Sequence, residues 1–268
     1  MPGPIQSIER AAAILRLLAD GSRRLGVSEI ADSLGLARGT AHGILRTLQG
    51  VGFVEQDDAT GKYQLGARLL HLGTSYLDVN ELRSRAINWA DALAARSGEA
   101  VRLGTLLEGK VLVVHHVFRP DDTLQTLDVG ALLPLHASAL GKVLLAYGAV
   151  PLSGQLSGQL PAEKLERRTD KTITSEAALR AELAGVRARG YAITDEELEP
   201  GLIAVAAPVH GFDGAVVAAL SVSAPTTRMT RDRLTTTAGH CVGEAAGLSA
   251  VLGYRQRAAR QTRKAGAA

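Results

Sequence analysis

Residues 27–66, VSEIADSLGLARGTAHGILRTLQGVGFVEQDDATGKYQLG, decide how the N-terminal part of the chain folds. Ile30, Ala31 and Leu34 fall at helical spacing from a start near Ser28. Gly35 stops that helix, because glycine takes the left-handed C-terminal conformation without a side-chain clash. After a short turn a longer helix is expected over about residues 37–49, anchored from behind by Ala37, Ala41, Ile44, Leu45 and Leu48. Upstream, Ile8, Ala11, Ala12, Leu15 and Leu18 define another amphipathic helix, with Ser7 as its N-cap and Asp20-Gly21 as its end. Downstream, GFVEQ and KYQL flank the turn DDATG, which predicts a short β-hairpin. Three helices followed by a hairpin, in this order and at these lengths, make a winged helix-turn-helix over residues 1–66.

The outward face of the third helix carries Arg38, Gly39, Thr40, His42, Gly43 and Arg46. These are short or hydrogen-bonding groups, suited to a helix whose first turns enter a major groove about 12 Å wide. Arg38 and His42 are placed for base edges. Arg46 and the hydroxyls of Ser28 and Thr40 suit phosphates, and Lys62 in the hairpin is expected against the DNA backbone.

Overall charge does not carry this reading. The chain of 268 residues has a net charge of +3, but the first 66 residues are balanced between basic and acidic groups. The excess lies in Arg255, Arg257, Arg260, Arg263 and Lys264, so the rest of the chain is net acidic. Those five sit in a tail, 255–268, expected to be solvated. Aromatic residues are only 3%, which argues against recognition by stacked bases, whereas 46% hydrophobic content is enough for two cores. A single cysteine, Cys241, excludes an internal disulfide framework and fits a reducing compartment. The opening MPGPIQSIER lacks a basic segment followed by an apolar run, and no stretch reaches the roughly 18 apolar residues of a membrane span, so a cytoplasmic protein without membrane contact is expected.

Helical periodicity is expected through residues 67–80, and a second domain over 81–254. Strand-like runs lie at 101–106, 110–117 and 124–129, and two apolar strands at 202–209 and 215–223. Helices are expected over 81–95, from Ser138 into ALGKVLLAYG, over 176–189 and over 231–252. Strands and helices mix without strict alternation, which indicates an α+β class with an antiparallel sheet. Ser138 as N-cap leaves the amides of Ala139 and Leu140 pointing from a positive helix end, suited to a carboxylate, a phosphate or a polarised hydroxyl. Ser221 and Ser223 alternate onto one face of a late strand and point into the same cavity.

In the stretches SIERAAAILRLLAD, VSEIADSLGLARGTAHGILRTL, LPLHASALGKVLLA, RGYAITDEELEPGLIAVAAPV and AALSVSAP, the chain resembles the IclR family of transcriptional regulators nearly end to end. The resemblance implies a GAF-like effector domain, a small-molecule effector and double-stranded operator DNA as partners, and pairing of subunits into a homodimer or a dimer of dimers. It adds the turn Thr194, Asp195 and Glu196 and the strand position Ala204 to the effector site. GTAHGILRTLQ, TSYLDVNELR and VLVVHHVFRPDD further resemble the branch that represses glycerol catabolism, implying glycerol or glycerol 3-phosphate as effector. Two departures stand out: Gly43 replaces an arginine that the family often carries, and Ala204 replaces a thiol found in some relatives.

Other signals fall away. Gly141-Lys142 lacks the preceding glycine of a phosphate loop, and Lys142 is expected at a surface or interface. His115 and His116 are neighbours in a strand and face opposite sides, so they do not share a metal. His240-Cys241 has no partner at zinc-ligand spacing, and Cys241 reads as a small buried hydrophobe. No metal or other cofactor is expected. No nucleophile with a positioned base marks a hydrolase. The competing readings are an enzyme acting on a small metabolite with an appended helical domain, a helical module that pairs proteins rather than binding DNA, and, within the same family, a regulator of amino-acid or aromatic-acid metabolism.

Overall fold

The computed structural model describes residues 3–19, 24–79, 81–119, 127–148 and 165–255. The chain divides into two compact units, Met1–Val79 and Asn80–Ala268.

In the first unit, α1 (Gln6–Ala19), α2 (Val27–Ser33) and α3 (Arg38–Gly50) precede a two-stranded antiparallel hairpin of β1 (Val54–Gln56) and β2 (Tyr63–Leu65). Ile14 and Leu18 of α1, Ile30 of α2, Leu45 and Leu48 of α3, and Val54 and Tyr63 of the hairpin close one core. Two local expectations are corrected. Helix α1 begins at Gln6, so Ser7 lies inside its first turn instead of capping it. Ala37 is the exposed N-cap of α3, because the chain turns there and its side chain leaves the buried stripe. The tip of the hairpin is fixed by Asp57, whose carboxylate accepts from the amides of Ala59 and Thr60 at 3.1 and 2.8 Å. Those bonds hold its carboxyl below the usual range. The connecting helix, expected over 67–80, is α4 (Ala67–Val79) and groups with this unit.

The second unit holds α5 (Glu81–Ser97), β3 (Ala100–Leu107), β4 (Lys110–Val117), β5 (Leu132–Pro134), α6 (Ala139–Tyr147), α7 (Glu176–Arg189), β6 (Ala192–Asp195), β7 (Leu202–His210), β8 (Val216–Pro225) and α8 (Arg231–Val251). The strands form one antiparallel sheet in the order β5-β4-β3-β8-β7-β6. Alternation along β8 divides the domain into layers. Ala218, Leu220, Val222 and Ala224 face a core closed by α5 and α8, and Ala219 faces a second core closed by α6 and α7; the register shift against β7 at Val209/His210 moves Val216 onto that second face as well.

The strand expected over 124–129 is not found: residues 124–126 lie outside the described part, and 127–129 are irregular. The edge of the sheet is β5, whose Leu133 pairs with Val111. The four-residue β6 departs from expectation: the resemblance implies a turn at Thr194, Asp195 and Glu196, whereas Thr194 and Asp195 close a strand and Glu196 follows in the left-handed conformation. The basic tail from residue 256 onward lies outside the described residues. No described helix is long and apolar enough to cross a membrane.

Candidate nucleic-acid interface and ligand pocket

Burial of Ala41, Leu45 and Leu48 fixes the rotation of α3 and turns its opposite face outward. Arg38, His42 and Arg46, four residues apart, form one exposed row, and Gly39 and Gly43 form the row beside it. Nothing lies within 4 Å of where a Cβ would stand on either glycine, so the helix backbone itself is open to approach. Thr40 is half-buried at the edge. Ala37 provides no side-chain cap, so the amides of Arg38, Gly39 and Thr40 end the helix as free donors at its positive terminus. Among the described residues, Arg38, His42 and Arg46 make no ion pair, which leaves the charge of the two arginines uncompensated.

The wing differs. Lys62 is half-buried with its ammonium 3.7 Å from Glu29 of α2, and Arg24 is paired with Asp57. The Lys62 ammonium is therefore partly compensated by a carboxylate of the same unit. Ser28 is half-buried in the first turn of α2. Thr47 and Gln49, both exposed on α3, escape the sequence reading although they lie next to the same open face. The Thr47 hydroxyl donates to the Gly43 carbonyl at 3.0 Å.

In the second unit a cavity of about 30 Å³ opens between the start of α6 and the sheet. Seven of the nine predicted ligand residues line it: Ser138, Ala139, Leu140, Thr194, Ala204, Ser221 and Ser223. Register explains the convergence, since Thr194 is opposite Ala204, and Ala204 is opposite Ser223. Ser138 Oγ accepts from the Gly141 amide at 3.1 Å, as an N-cap should, and donates to the Pro134 carbonyl at 2.6 Å. The Lys142 amide bonds the Ser138 carbonyl at 2.9 Å, so the amides left over are those of Ala139 and Leu140.

Asp195 and Glu196 do not line the cavity. With Thr194 turned inward, alternation turns Asp195 outward, and both carboxylates pair with Lys171, at 3.2 and 2.6 Å. The remaining walls come from residues that sequence reasoning missed, namely Arg102, Leu133, Leu198 and Leu202. Arg102 is opposite Ser221 across β3 and β8. Its Nε donates to Asp128 at 2.6 Å and its Nη1 donates to Ser223 Oγ.

Lys142 is not at a surface. It is 1% exposed, and its ammonium donates to Glu197 at 2.6 Å and to the Ile193 carbonyl at 3.1 Å. Helix α6 is apolar on all sides, so even its lysine is enclosed. His115 and His116 face opposite sides of the sheet, as expected: His115 is influenced by Arg83 and Asp91, and His116 accepts from the Asp128 amide at 3.2 Å. Burial lowers the basicity of both imidazoles. The Cys241 thiol is fully buried and donates to the Leu220 carbonyl at 3.2 Å.

Comparison with known proteins gives the same division. Residues 7–58 match the IclR helix-turn-helix domain, and residues 74–249 match the bacterial transcriptional regulator IclR C-terminal domain. The chain is 56% identical over 228 residues to the glycerol operon regulatory protein of Streptomyces coelicolor, covering 85% of this chain and 88% of that one. It is 31% identical over 235 residues to the transcriptional repressor IclR of Escherichia coli, covering 87% and 85%. Among solved structures, the IclR transcriptional regulator from Alicyclobacillus acidocaldarius superposes with a TM-score of 0.80 at 29% identity, covering 94% of this chain and 100% of that one.

Proposed function

This chain belongs to the IclR family of DNA-binding transcriptional regulators, and from that premise we propose that it is a homodimeric repressor of a glycerol-type catabolic operon, released from its operator by glycerol or glycerol 3-phosphate. The open row Arg38, His42 and Arg46, with its two arginines, carries the DNA part of the reading. It is backed by a buried apolar stripe that fixes its direction, and a glycine row beside it lets the backbone approach a groove. The glycerol assignment is supported by the 56% identity to a glycerol operon regulatory protein.

Pairing follows from the small size of one reading head. A single α3 reaches few phosphates and bases, and two heads on one duplex double that reach and impose a half-site spacing. Effector control is then a linkage between two binding events. A cavity of about 30 Å³ is too tight for a three-carbon ligand, so binding pushes apart the start of α6 and the residues around Leu198 and Leu202. That displacement costs free energy unless the packing of the subunits shifts with it, and the distance between the two reading heads shifts accordingly. Repression arises where the operator overlaps the promoter and the bound dimer occludes polymerase.

The test is a footprint on the promoters flanking the protein's own gene, repeated with glycerol, glycerol 3-phosphate, branched amino acids and aromatic acids. Protection that disappears with one of the first two is expected. Release by an amino acid or aromatic acid alone would overturn the glycerol assignment, and failure to protect any of these promoters would overturn the regulator's proposed target.

A further inference from the structure

Residues 166–172 form a strap from the segment before α6 to the loop after β6, the two sides of the cavity. Its flanks are anchored, because Leu165 and Ile173 pack against the core of α6 and α7. Between those anchors Thr172 is the hub. It is buried, and its hydroxyl accepts from the amides of Arg168 and Thr169 at 3.1 and 2.8 Å while donating to the Glu197 carbonyl at 2.7 Å. The Thr169 hydroxyl donates to the Glu196 carbonyl at 2.6 Å. At the other end of the strap, His136 Nε2 donates to the Glu166 carbonyl at 2.9 Å, two residues before the cap of α6.

These bonds close a circuit around the cavity. From His136 the chain passes the lining residues Ser138, Ala139 and Leu140 to Lys142, whose ammonium holds the Glu197 carboxylate at 2.6 Å. The Glu197 carbonyl is held by Thr172, next to the lining residue Leu198, and the strap leads back to His136. The enclosed space of about 30 Å³ is the volume of one water in the liquid, so a larger guest must part the circuit.

Relative cost decides which link parts. Separating Lys142 from Glu197 strands two charges in an enclosed place. The hydroxyl–carbonyl bonds of the strap are neutral, and once it lifts they exchange for bonds to water at little net cost. The ion pairs of Lys171 with Asp195 and Glu196 are exposed and screened. Glu196 points the same way. Its φ of 57° is a left-handed conformation uncommon outside glycine, and it persists because the carbonyl is held by Thr169 and the carboxylate by the Gly201 amide at 2.8 Å. The strap thus holds a strained residue between the two that carry Thr194 and Leu198 to the cavity.

We propose that residues 166–172 are the gate of this cavity, with Thr172 as the positioning residue that keeps Leu198 against the start of α6 until a guest enters. On entry the Thr172 and Thr169 bonds to the loop break, Glu196 relaxes, and the backbone at 196–198 moves outward. The Glu197 side chain stays joined to Lys142 and serves as the tether. The regulatory role of this gate rests on the cavity being the effector site, as proposed above.

The test uses the full chain and reads opening as thiol reactivity. Ala204→Cys places a thiol in the cavity wall, and the fully buried Cys241 serves as an internal standard that reacts only when the domain opens. Both are followed by mass spectrometry during exposure to methyl methanethiosulfonate. Adding Thr172→Val, which keeps the shape and removes the hydroxyl, is expected to speed labelling at position 204 by about fivefold or more, as the loss of a neutral hydrogen bond implies, with the Cys241 rate unchanged. Thr172→Ser, which restores the hydroxyl, is expected to return the rate to that of the intact strap. If Thr172→Val does not fold, Thr169→Val decides, with the same expected direction. Unchanged labelling at 204, a parallel rise at both thiols, an equal rise in Thr172→Ser, or a thiol at 204 that reacts as fast as a free one behind the intact strap would each overturn the gate. The labelling needs neither operator nor effector, so it can fail while the regulator reading stands. A footprint insensitive to every effector, with labelling as expected, overturns the effector reading and leaves the gate.

Discussion

The ammonium of Lys142 on α6 lies 2.6 Å from a carboxylate oxygen of Glu197, in the loop after β6, with the lysine almost wholly enclosed. A second carboxylate, Glu182 of α7, stands 3.7 Å away. The pair ties α6, the helix that starts at the cavity, to the segment that carries Thr194 and Leu198 to it. Burial pushes the Glu197 carboxyl above its usual range, and the lysine opposes that shift. Removing the cation alone leaves a buried carboxylate uncompensated. Lys142→Ala is therefore expected to cost about 3–5 kcal/mol of stability, whereas Lys142→Met combined with Glu197→Gln recovers much of the loss. Urea unfolding midpoints of the two variants decide it, and an unchanged midpoint for Lys142→Ala would remove the pair from the account of the pocket.

Glycine at position 141 is required by close approach. A Cβ there would stand 2.3 Å from the Leu135 carbonyl oxygen and 2.4 Å from its Cα, both backbone atoms that cannot swing aside. Gly→Ala inside a helix ordinarily stabilises by up to about 1 kcal/mol. Gly141→Ala is expected to reverse that sign and destabilise by about 2 kcal/mol, the range of an overpacked core. Because the same movement displaces the amides of Ala139 and Leu140, ligand affinity falls as well. Calorimetry and thermal melting on one preparation measure both effects.

Cys241 offers a pH test. Burial pushes its thiol up to about 12 from an ordinary value of 9.0. Below pH 9 the thiol is protonated in both folded and unfolded chains and contributes no pH dependence. Above it, the unfolded chain releases the proton and the folded one retains it, so this group lowers stability as pH rises from 9 toward 12, by up to about 1.4 kcal/mol per unit. Cys241→Ala is expected to flatten that limb of the stability profile. In the native protein at pH 8, a thiol reagent should label Cys241 only as fast as the domain opens.

Much of this was legible because period-2 and period-3.6 patterns report burial directly. β4 and β7 read as apolar runs because helices cover both faces of the sheet, and the stripe Ala41, Leu45, Leu48 follows from the one apolar face of α3. Ser138 was legible for a different reason, since an N-cap hydroxyl before an apolar helix has a local signature. What escaped depended on neighbours distant in sequence. β5 and β6, at three and four residues, are too short for a pattern and exist because longer strands pair with them. Arg102 looks like any solvent-facing residue of a strand until Ser223, 121 positions later, is placed beside it. Lys142 could have been anticipated, because every neighbour one helical turn away is apolar.

The exposed row of α3 gives the sharpest test of DNA binding, because its members should fail in different ways. Arg46 lies two turns beyond Arg38 on the same face, away from the helix start that leads into the groove, and is positioned for a phosphate. Arg46→Ala should weaken binding to specific and unrelated duplexes alike, and should reduce the slope of log affinity against log salt by about 0.9 for each phosphate no longer neutralised. Arg38, in the first turn, is positioned for a base edge. Arg38→Ala should cost about 1–3 kcal/mol on the operator, much less on unrelated DNA, and should relax the sequence preference at one position in each half-site. Both side chains are exposed and unpaired within the described residues, so neither change should move the melting midpoint appreciably. Titrations at several salt concentrations on operator and scrambled duplexes separate the two roles. If both variants bind operator as tightly as the wild type at every salt concentration, α3 is not the reading helix.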